Sequence, residues 1–342
     1  MRLLSWNVAA REGKLSQQLA RVLEEQPDVI ALQEVSSGTH KRWEQGLTEA
    51  GYAVLATDAL LALHYPPPPY PFRQRTPKQI VRTKFNLTAS RLPVEPLAGM
   101  SFPDSEEERF AFPEKYLAAQ VIEQGVAVEV HNAHAPPGSS RGIVKPQAFR
   151  AIRRRVDQRP DKPQVLCGDF NTPISEDDDD VVPAGRRHPG LQPEWGEAER
   201  SVLSNPRLVD AYRKTRERGS PFAVSHRTRS RDCRYDHIYV TEHFSVTSCE
   251  YLTDWLDEKL SDHAPVVATL ALAPDESGRA PHDGARLCAP PGRRRQSRAT
   301  SSRAERREPD LLHPATMDHP AGRRLATLRG TAATRSPRRA EA

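Results

Sequence analysis

Nowhere in the 342 residues do eighteen apolar residues run together, so the sequence holds no candidate membrane-spanning helix. The start, Met1 to Ala10, has an early arginine as a secretory leader would. Ser5 and Asn7 interrupt its apolar stretch and Arg11 and Glu12 follow at once, which leaves it too short for a signal peptide. Cysteine is sparse as well. Cys167, Cys233, Cys249 and Cys288 form no CxxC pair and no metal-finger spacing, and Cys167 and Cys249 lie in apolar runs that suit buried free thiols. A reducing, cytoplasmic location is the resulting expectation. Lysine is scarce, with 9 against 41 arginines. No internal repeat, aromatic-rich platform for single-stranded nucleic acid, lipid-binding helix or inositol-selective motif stands out, so composition does not name a substrate.

What is present is enough for a core: 37% of residues are apolar, with 18 glycines besides. The formal charge of +5 suggests nucleic acid until it is partitioned. Residues 274–342 carry 15 arginines and 8 acidic residues, a net of +7, which leaves residues 1–273 at −2. Hydrophobic patterning stops at Pro274, and the remainder, rich in arginine, proline, alanine, serine and threonine, is expected to be a disordered tail. Residues 1–273 are expected to form the folded unit.

Within that unit, residues 2–8 read as a strand, Leu15 to Leu23 as a helix and Val29 to Leu32 as a buried strand. His40 to Ala50 reads as a helix and Tyr52 to Ala56 as a strand. A proline-dense excursion follows at 64–77. Beyond it, Leu87 to Ser90, Tyr116 to Ile122 and Val126 to Asn132 read as strands, the last two joined at Glu-Gln-Gly as a hairpin. Ile143 to Val156 is an expected helix and Gln164 to Cys167 a strand. The region 175–207 reads as a loop, its acidic run Asp177 to Asp180 a solvated turn. Late strands cover Tyr235 to Val240, Phe244 to Glu250 and Pro265 to Leu272. Some strands follow helices and others follow one another, which predicts a layered α/β sandwich of two mixed β-sheets flanked by helices.

Polar residues stand immediately beside these apolar runs: Asn7, Glu34, His134, Asp169, Asn171, Asp236, Asp262 and His263. Singly, each is most simply a turn, cap or solvated residue. Jointly and in this order, Trp6-Asn7, Gln33-Glu34, Gly168-Asp169-Phe170-Asn171, Tyr235-Asp236-His237 and Ser261-Asp262-His263 resemble the ordered motifs of the endonuclease/exonuclease/phosphatase superfamily of metal-dependent phosphoesterases. The resemblance runs from about Leu3 to Leu270 and omits the tail.

It implies hydrolysis of a phosphodiester or phosphomonoester by in-line attack of water, most simply by an endonuclease or general phosphodiesterase. Alternatives are a sphingomyelinase- or inositol-phosphatase-like enzyme, or a non-catalytic nucleic-acid binder using the basic tail. By the same resemblance Glu34 ligates Mg²⁺ (Mn²⁺ being a possible substitute), with Asn7 and Asp262 as further ligands. Asp169 is then the acceptor that activates water, Asn171 fixes it or the phosphate, and His263, held by Asp236, contacts the phosphate. His134 stands where abasic-site endonucleases carry tyrosine, and is closer to the deoxyribonuclease, sphingomyelinase and general phosphatase branches. His226 and Arg234 are expected substrate contacts. Arg141, Lys145, Arg227, Arg229, Arg231 and Arg234 are candidates for a basic rim. The expected partner is a phosphoester substrate, DNA included. The sequence gives no evidence for a protein partner, and a monomer is expected.

Overall fold

Leu3 and Leu4 point to opposite faces of one strand, and both are fully buried. A strand with no solvent face must be covered twice, and that requirement sets the architecture. The structure is a computed structural model describing residues 1–56, 84–97, 112–137, 144–172, 174–175, 180–181, 193–217, 223–227 and 232–273. One six-stranded sheet contains β1 (Arg2–Asn7), β2 (Val29–Ser36), β3 (Ala53–Ala56), β4 (Lys84–Ser90), β15 (Phe244–Tyr251) and β16 (Val266–Leu272), in spatial order β15-β16-β1-β2-β4-β3. The second contains β5 (Val94–Pro96), β6 (Tyr116–Glu123), β7 (Val126–His134), β8 (Gln164–Asp169), β11 (Val209–Asp210) and β14 (Asp236–Val240), in order β11-β14-β8-β7-β6-β5. Each sheet is mixed: β1 pairs with β2 and β7 with β8 in parallel, and the other pairings are antiparallel.

Alternate residues serve different layers. Leu3, Val29 and Ala31 from the first sheet meet Val130, Val165, Cys167 and Ile238 from the second, closing the sheets face to face. On the outer face, Leu4, Trp6, Ile30 and Leu32 pack under α1 (Leu15–Glu24) and α2 (His40–Glu49) through Leu15, Val22, Trp43 and Leu47. The outer face of the second sheet is covered by α3 (Val144–Asp157) and α4 (Pro193–Leu203), with Phe149, Ile152, Ala198 and Val202 against Leu166 and Phe170. The expected two-sheet sandwich with flanking helices is thus the observed fold. Short elements complete it: α5 (Ala211–Lys214), α6 (Asp254–Asp257), and the two-stranded pairs β9 (Ile174–Ser175) with β10 (Asp180–Val181) and β12 (His226–Arg227) with β13 (Asp232–Cys233).

The β6–β7 hairpin has the turn its sequence predicts. Glu123 pairs with Val126, and the two residues between them, Gln124 and Gly125, adopt φ 52° and 82°. Two left-handed central residues make the type I′ turn whose twist matches the strands. The region expected as loop at 175–207 contains α4, a correction to the sequence reading. Its start had a signal, Pro193 followed by Glu194 in the first turn, and its apolar face is held by packing on α3. The excursion at 64–77, residues 177–179 of the acidic run and the tail 274–342 lie outside the described residues. No helix among the described residues is long and apolar enough to cross a membrane. Cys167, Cys233 and Cys249 are free and buried, and burial pushes the Cys167 thiol up to about 12, an unreactive state.

Candidate active site

Strand register brings three of the singled-out residues into one row. His134 ends β7 and pairs with Asp169 at the end of β8, which pairs in turn with Asp236 at the start of β14. Gly168 permits this close approach. It adopts φ 134°, and a Cβ there would lie 1.8 Å from the Ala133 carbonyl oxygen, so only glycine fits before Asp169.

The other sheet supplies Asn7 from the end of β1 and Glu34 from within the adjacent β2. The β2–β4 register shifts between Leu32 and Val35, and within that irregularity Glu34 takes φ 58°. A bulge of this kind re-aims a side chain, and a left-handed non-glycine residue persists only where its surroundings over-determine it. Asn7 Nδ2 donates to Asp169 Oδ2 at 2.9 Å, linking the two sheets. The turn at 261–263 is fastened to β1: Ser261 Oγ donates to the Asn7 carbonyl (2.7 Å), and Trp6 Nε1 donates to the His263 carbonyl (2.8 Å).

Asp169 is 1% exposed and accepts three hydrogen bonds, from Asn7 Nδ2, from the Asn171 backbone N–H (2.8 Å) and from Asn171 Nδ2 (3.3 Å). Burial, then the charge of Asp236, push its carboxyl up to about 6, partly opposed by His263 and by the Asn171 and Asn7 donors. His263 Nδ1 donates to Asp236 Oδ2 at 2.8 Å, and its Nε2 lies 3.9 Å from Asp169 Oδ2. Burial alone would depress the imidazole. The carboxylates of Asp236 and Asp169 outweigh it and push His263 up to about 10, so the ring is a cation at neutral pH.

His134 is the opposite case. Lys115 Nζ donates to its Nδ1 at 3.1 Å, which makes Nδ1 the acceptor and places the proton on Nε2. Burial, followed by the charges of Lys115, His263 and Lys84, holds its pKa well below the ordinary histidine value. Nε2 lies 3.6 Å from Asp169 Oδ2 and 3.8 Å from Glu34 Oε1. One cleft therefore holds a cationic and a neutral histidine, separated by environment alone. Burial also lowers the Lys115 ammonium pKa, against the pull of Glu34 and Asp169. Glu34 Oε2 is ion-paired with Lys84. Neither lysine was singled out by sequence. Their one signal is rarity, since a chain that uses arginine almost everywhere places lysine at both positions.

The model of the Endonuclease/Exonuclease/phosphatase family matches residues 4–263, a span that includes this row of carboxylates and histidines. The chain belongs to this family. As a member it is a hydrolase acting on phosphoester bonds. Solved structures share the fold. A Neisseria 3′ phosphatase bound to a product DNA hairpin is 21% identical, with TM-score 0.56 over 79% of this chain and 99% of that one. An AP endonuclease from Archaeoglobus fulgidus is 18% identical, with TM-score 0.55 over 80% and 100%. No match is found among curated proteins.

Within this family fold the remaining residues sort by burial. Asp262 is exposed beside His263, and its carboxylate accepts only a long bond from Ser261 Oγ (3.5 Å) among the hydrogen bonds seen. Asp169, Asp236 and His263 offer ligand atoms within 4.8 Å of one another, a candidate metal-binding cluster. His226 is half-buried; its ring lies 4.4 Å from that of His263, and its strand bridges His263. Burial and the neighbouring His263 charge lower its pKa. Ser225 Oγ accepts from the backbone N–H groups of Tyr235 and Asp236, so this segment also braces the Asp236–His263 pair.

The basic rim is not assembled as expected. Arg234 is 1% exposed and its Nη1 donates to Asp210 Oδ2 at 2.7 Å, so the structure places it inside the fold rather than at a substrate surface. Lys145 is likewise fully buried, paired with Glu199. Arg227 is exposed and pairs with Asp232 and Asp257, while Arg141, Arg229 and Arg231 lie outside the described residues. A charged side chain in sequence carries no mark of the partner that will bury it.

Proposed function

We propose that the chain is a divalent-metal-dependent phosphodiester or phosphomonoester hydrolase in which Asp169 is the general base and His263 a cationic stabiliser of the phosphate. The observation that carries this reading is the state of Asp169: a buried carboxylate near pKa 6, facing a histidine held positive by Asp236. A base must be deprotonated yet still basic near neutral pH, and this environment provides both. Three of the roughly four acceptor positions of Asp169 are filled by the Asn7 and Asn171 donors, which leaves one to take a proton from water. The water oxygen bonds to phosphorus as its proton passes to Asp169. The bond to the leaving oxygen breaks, and we assign the Nε2–H of neutral His134 as the hydrogen-bond donor to that oxygen. His263 and Lys115 face the charge that spreads over the remaining phosphate oxygens.

Glu34 and Asn7 are the residues to hold a hard cation such as Mg²⁺, with Mn²⁺ as a substitute. The donor set is oxygen only, as a hard cation prefers, and Lys84 pairs with Glu34 through Oε2 while Oε1 lies beside His134 and Asn7 adds a neutral oxygen. The Asp169–Asp236–His263 cluster is less suited, because Asp236 and His263 satisfy each other at 2.8 Å. We assign Asp262, exposed beside His263, as an outer ligand. When bound, the cation neutralises charge developing on the phosphate oxygens. We place the catalytic unit within residues 1–273 and take DNA phosphoesters as the leading substrates, in keeping with the DNA bound by the Neisseria phosphatase.

Hydrolysis of bis-p-nitrophenyl phosphate, plasmid DNA, an abasic oligonucleotide, sphingomyelin and inositol phosphates, each with Mg²⁺ and with EDTA, tests the reading. Activity should vanish in EDTA. Glu34→Gln should raise the Mg²⁺ concentration for half-maximal rate by about tenfold or more, since even outer contacts to a metal ligand have effects of this size. An unchanged Mg²⁺ titration would remove Glu34 from the metal site.

A further inference from the structure

Asn171 adopts a left-handed backbone, φ 51°, two residues after the proposed base. Asparagine tolerates this conformation but does not prefer it, so its neighbours must hold it there. Part of the hold comes from the segment just after β7, since Asn171 Nδ2 donates to the Ala135 carbonyl at 2.9 Å. The rest comes from below. Lys145 Nζ, on α3, donates to the Asn171 carbonyl at 2.9 Å and lies 2.9 Å from Glu199 Oε1, on α4. That Glu199 oxygen also accepts from Thr172 Oγ1 at 2.8 Å. Lys145 and Glu199 are 0% and 1% exposed. One buried ion pair thus grips two consecutive residues of the turn that carries Asp169.

Burying two charges is a poor way to gain stability, because desolvation cancels most of their attraction and an apolar pair would pack as well. Hydrogen bonds to one particular loop are something an apolar pair could not make. We infer that Lys145 and Glu199 are positioning residues: they lock Asn171 in its left-handed state, and through the two Asn171 bonds aim the Asp169 carboxylate. The inference rests on the reading of Asp169 as the base. Their bonds to the turn run through Asn171 and Thr172, and it is Asn171 that contacts Asp169.

Lys145→Met alone would strand a buried carboxylate, so the pair is neutralised together as K145M/E199Q in the full chain, where the new amide oxygen still accepts from Thr172. With bis-p-nitrophenyl phosphate and Mg²⁺, kcat should fall on the order of 10- to 100-fold, the penalty of a mis-aimed group, while KM moves little. In an Asn171→Gly background, where the left-handed state needs no lock and only the backbone N–H bond to Asp169 remains, the same two substitutions should cost less than about threefold. Amide exchange at Asn171 should accelerate by about tenfold or more in K145M/E199Q without matching change in the β8 core. Thr172→Val should act in the same direction, more weakly. Unchanged kcat in folded K145M/E199Q, equal losses with and without Asn171, or unchanged exchange at Asn171 would each overturn the inference. An inactive wild type, or full activity in Asp169→Asn, would instead overturn the catalytic reading, and the exchange measurement would still judge the lock.

Discussion

Asp169→Asn is expected to lower kcat by about 10³- to 10⁴-fold, the upper range for loss of a positioned base, with little change in KM. Asparagine keeps the size of the side chain and an oxygen for the Asn171 N–H, but it cannot take a proton from water. Stability should move the other way. The folded-state pKa of Asp169 lies above the ordinary carboxylate value, so the ionised form is disfavoured by folding. Metal-free wild type therefore loses stability as pH rises from the ordinary carboxylate range through about 6, and Asp169→Asn should not. Thermal melts in EDTA at pH 5 and pH 8, beside steady-state kinetics, check both halves. A variant that kept a tenth of the activity would exclude Asp169 as the base.

Arg234→Ala is expected to destabilise the fold by about 3–5 kcal/mol, the usual consequence of stranding one partner of a buried ion pair. Asp210 loses its charge partner while still serving as the N-cap of α5, where its side chain accepts from the Tyr212 and Arg213 N–H groups. Burial would raise the Asp210 pKa, but Arg234 and His237 overcome this and hold it well below the ordinary value. The pair's contribution is thus present above the ordinary carboxylate range and is lost as pH falls below it. Urea denaturation at pH 7 and pH 3 measures this. The variant should lose most at pH 7, and its folded fraction should keep the wild-type KM. A raised KM with unchanged stability would return Arg234 to the substrate surface.

Much of the fold was legible. Short apolar runs such as Val29 to Leu32 and Gln164 to Cys167 are too brief for helices, and the Glu-Gln-Gly turn allowed only a hairpin between its strands. Their ends ran further than the runs themselves, because polar residues such as Asp169 continue the ladder once a neighbouring strand pairs with them. The helix Pro193–Leu203 was missed because its apolar face becomes evident only against Phe149 and Ile152 of another helix.

For the site, Asn7, Glu34, His134, Asp169, Asn171, Asp236 and His263 stood out as polar residues beside apolar runs, and the resemblance of the ordered motifs to a family turned them into candidates. That much is local information, carried by motif and hydrophobic period. Whether a charge faces substrate or a buried partner is not local. Lys84, Lys115, Lys145 and Arg234 are all basic residues in the sequence, yet they respectively neutralise Glu34, set the tautomer of His134, grip the Asn171 turn and close a structural pair with Asp210. The partners of Lys84, Lys145, Arg234 and His263 lie 50, 54, 24 and 27 positions away in sequence. The same holds for the two histidines, one cationic and one neutral, because burial and nearby charge act through space and only the folded chain decides which groups are near.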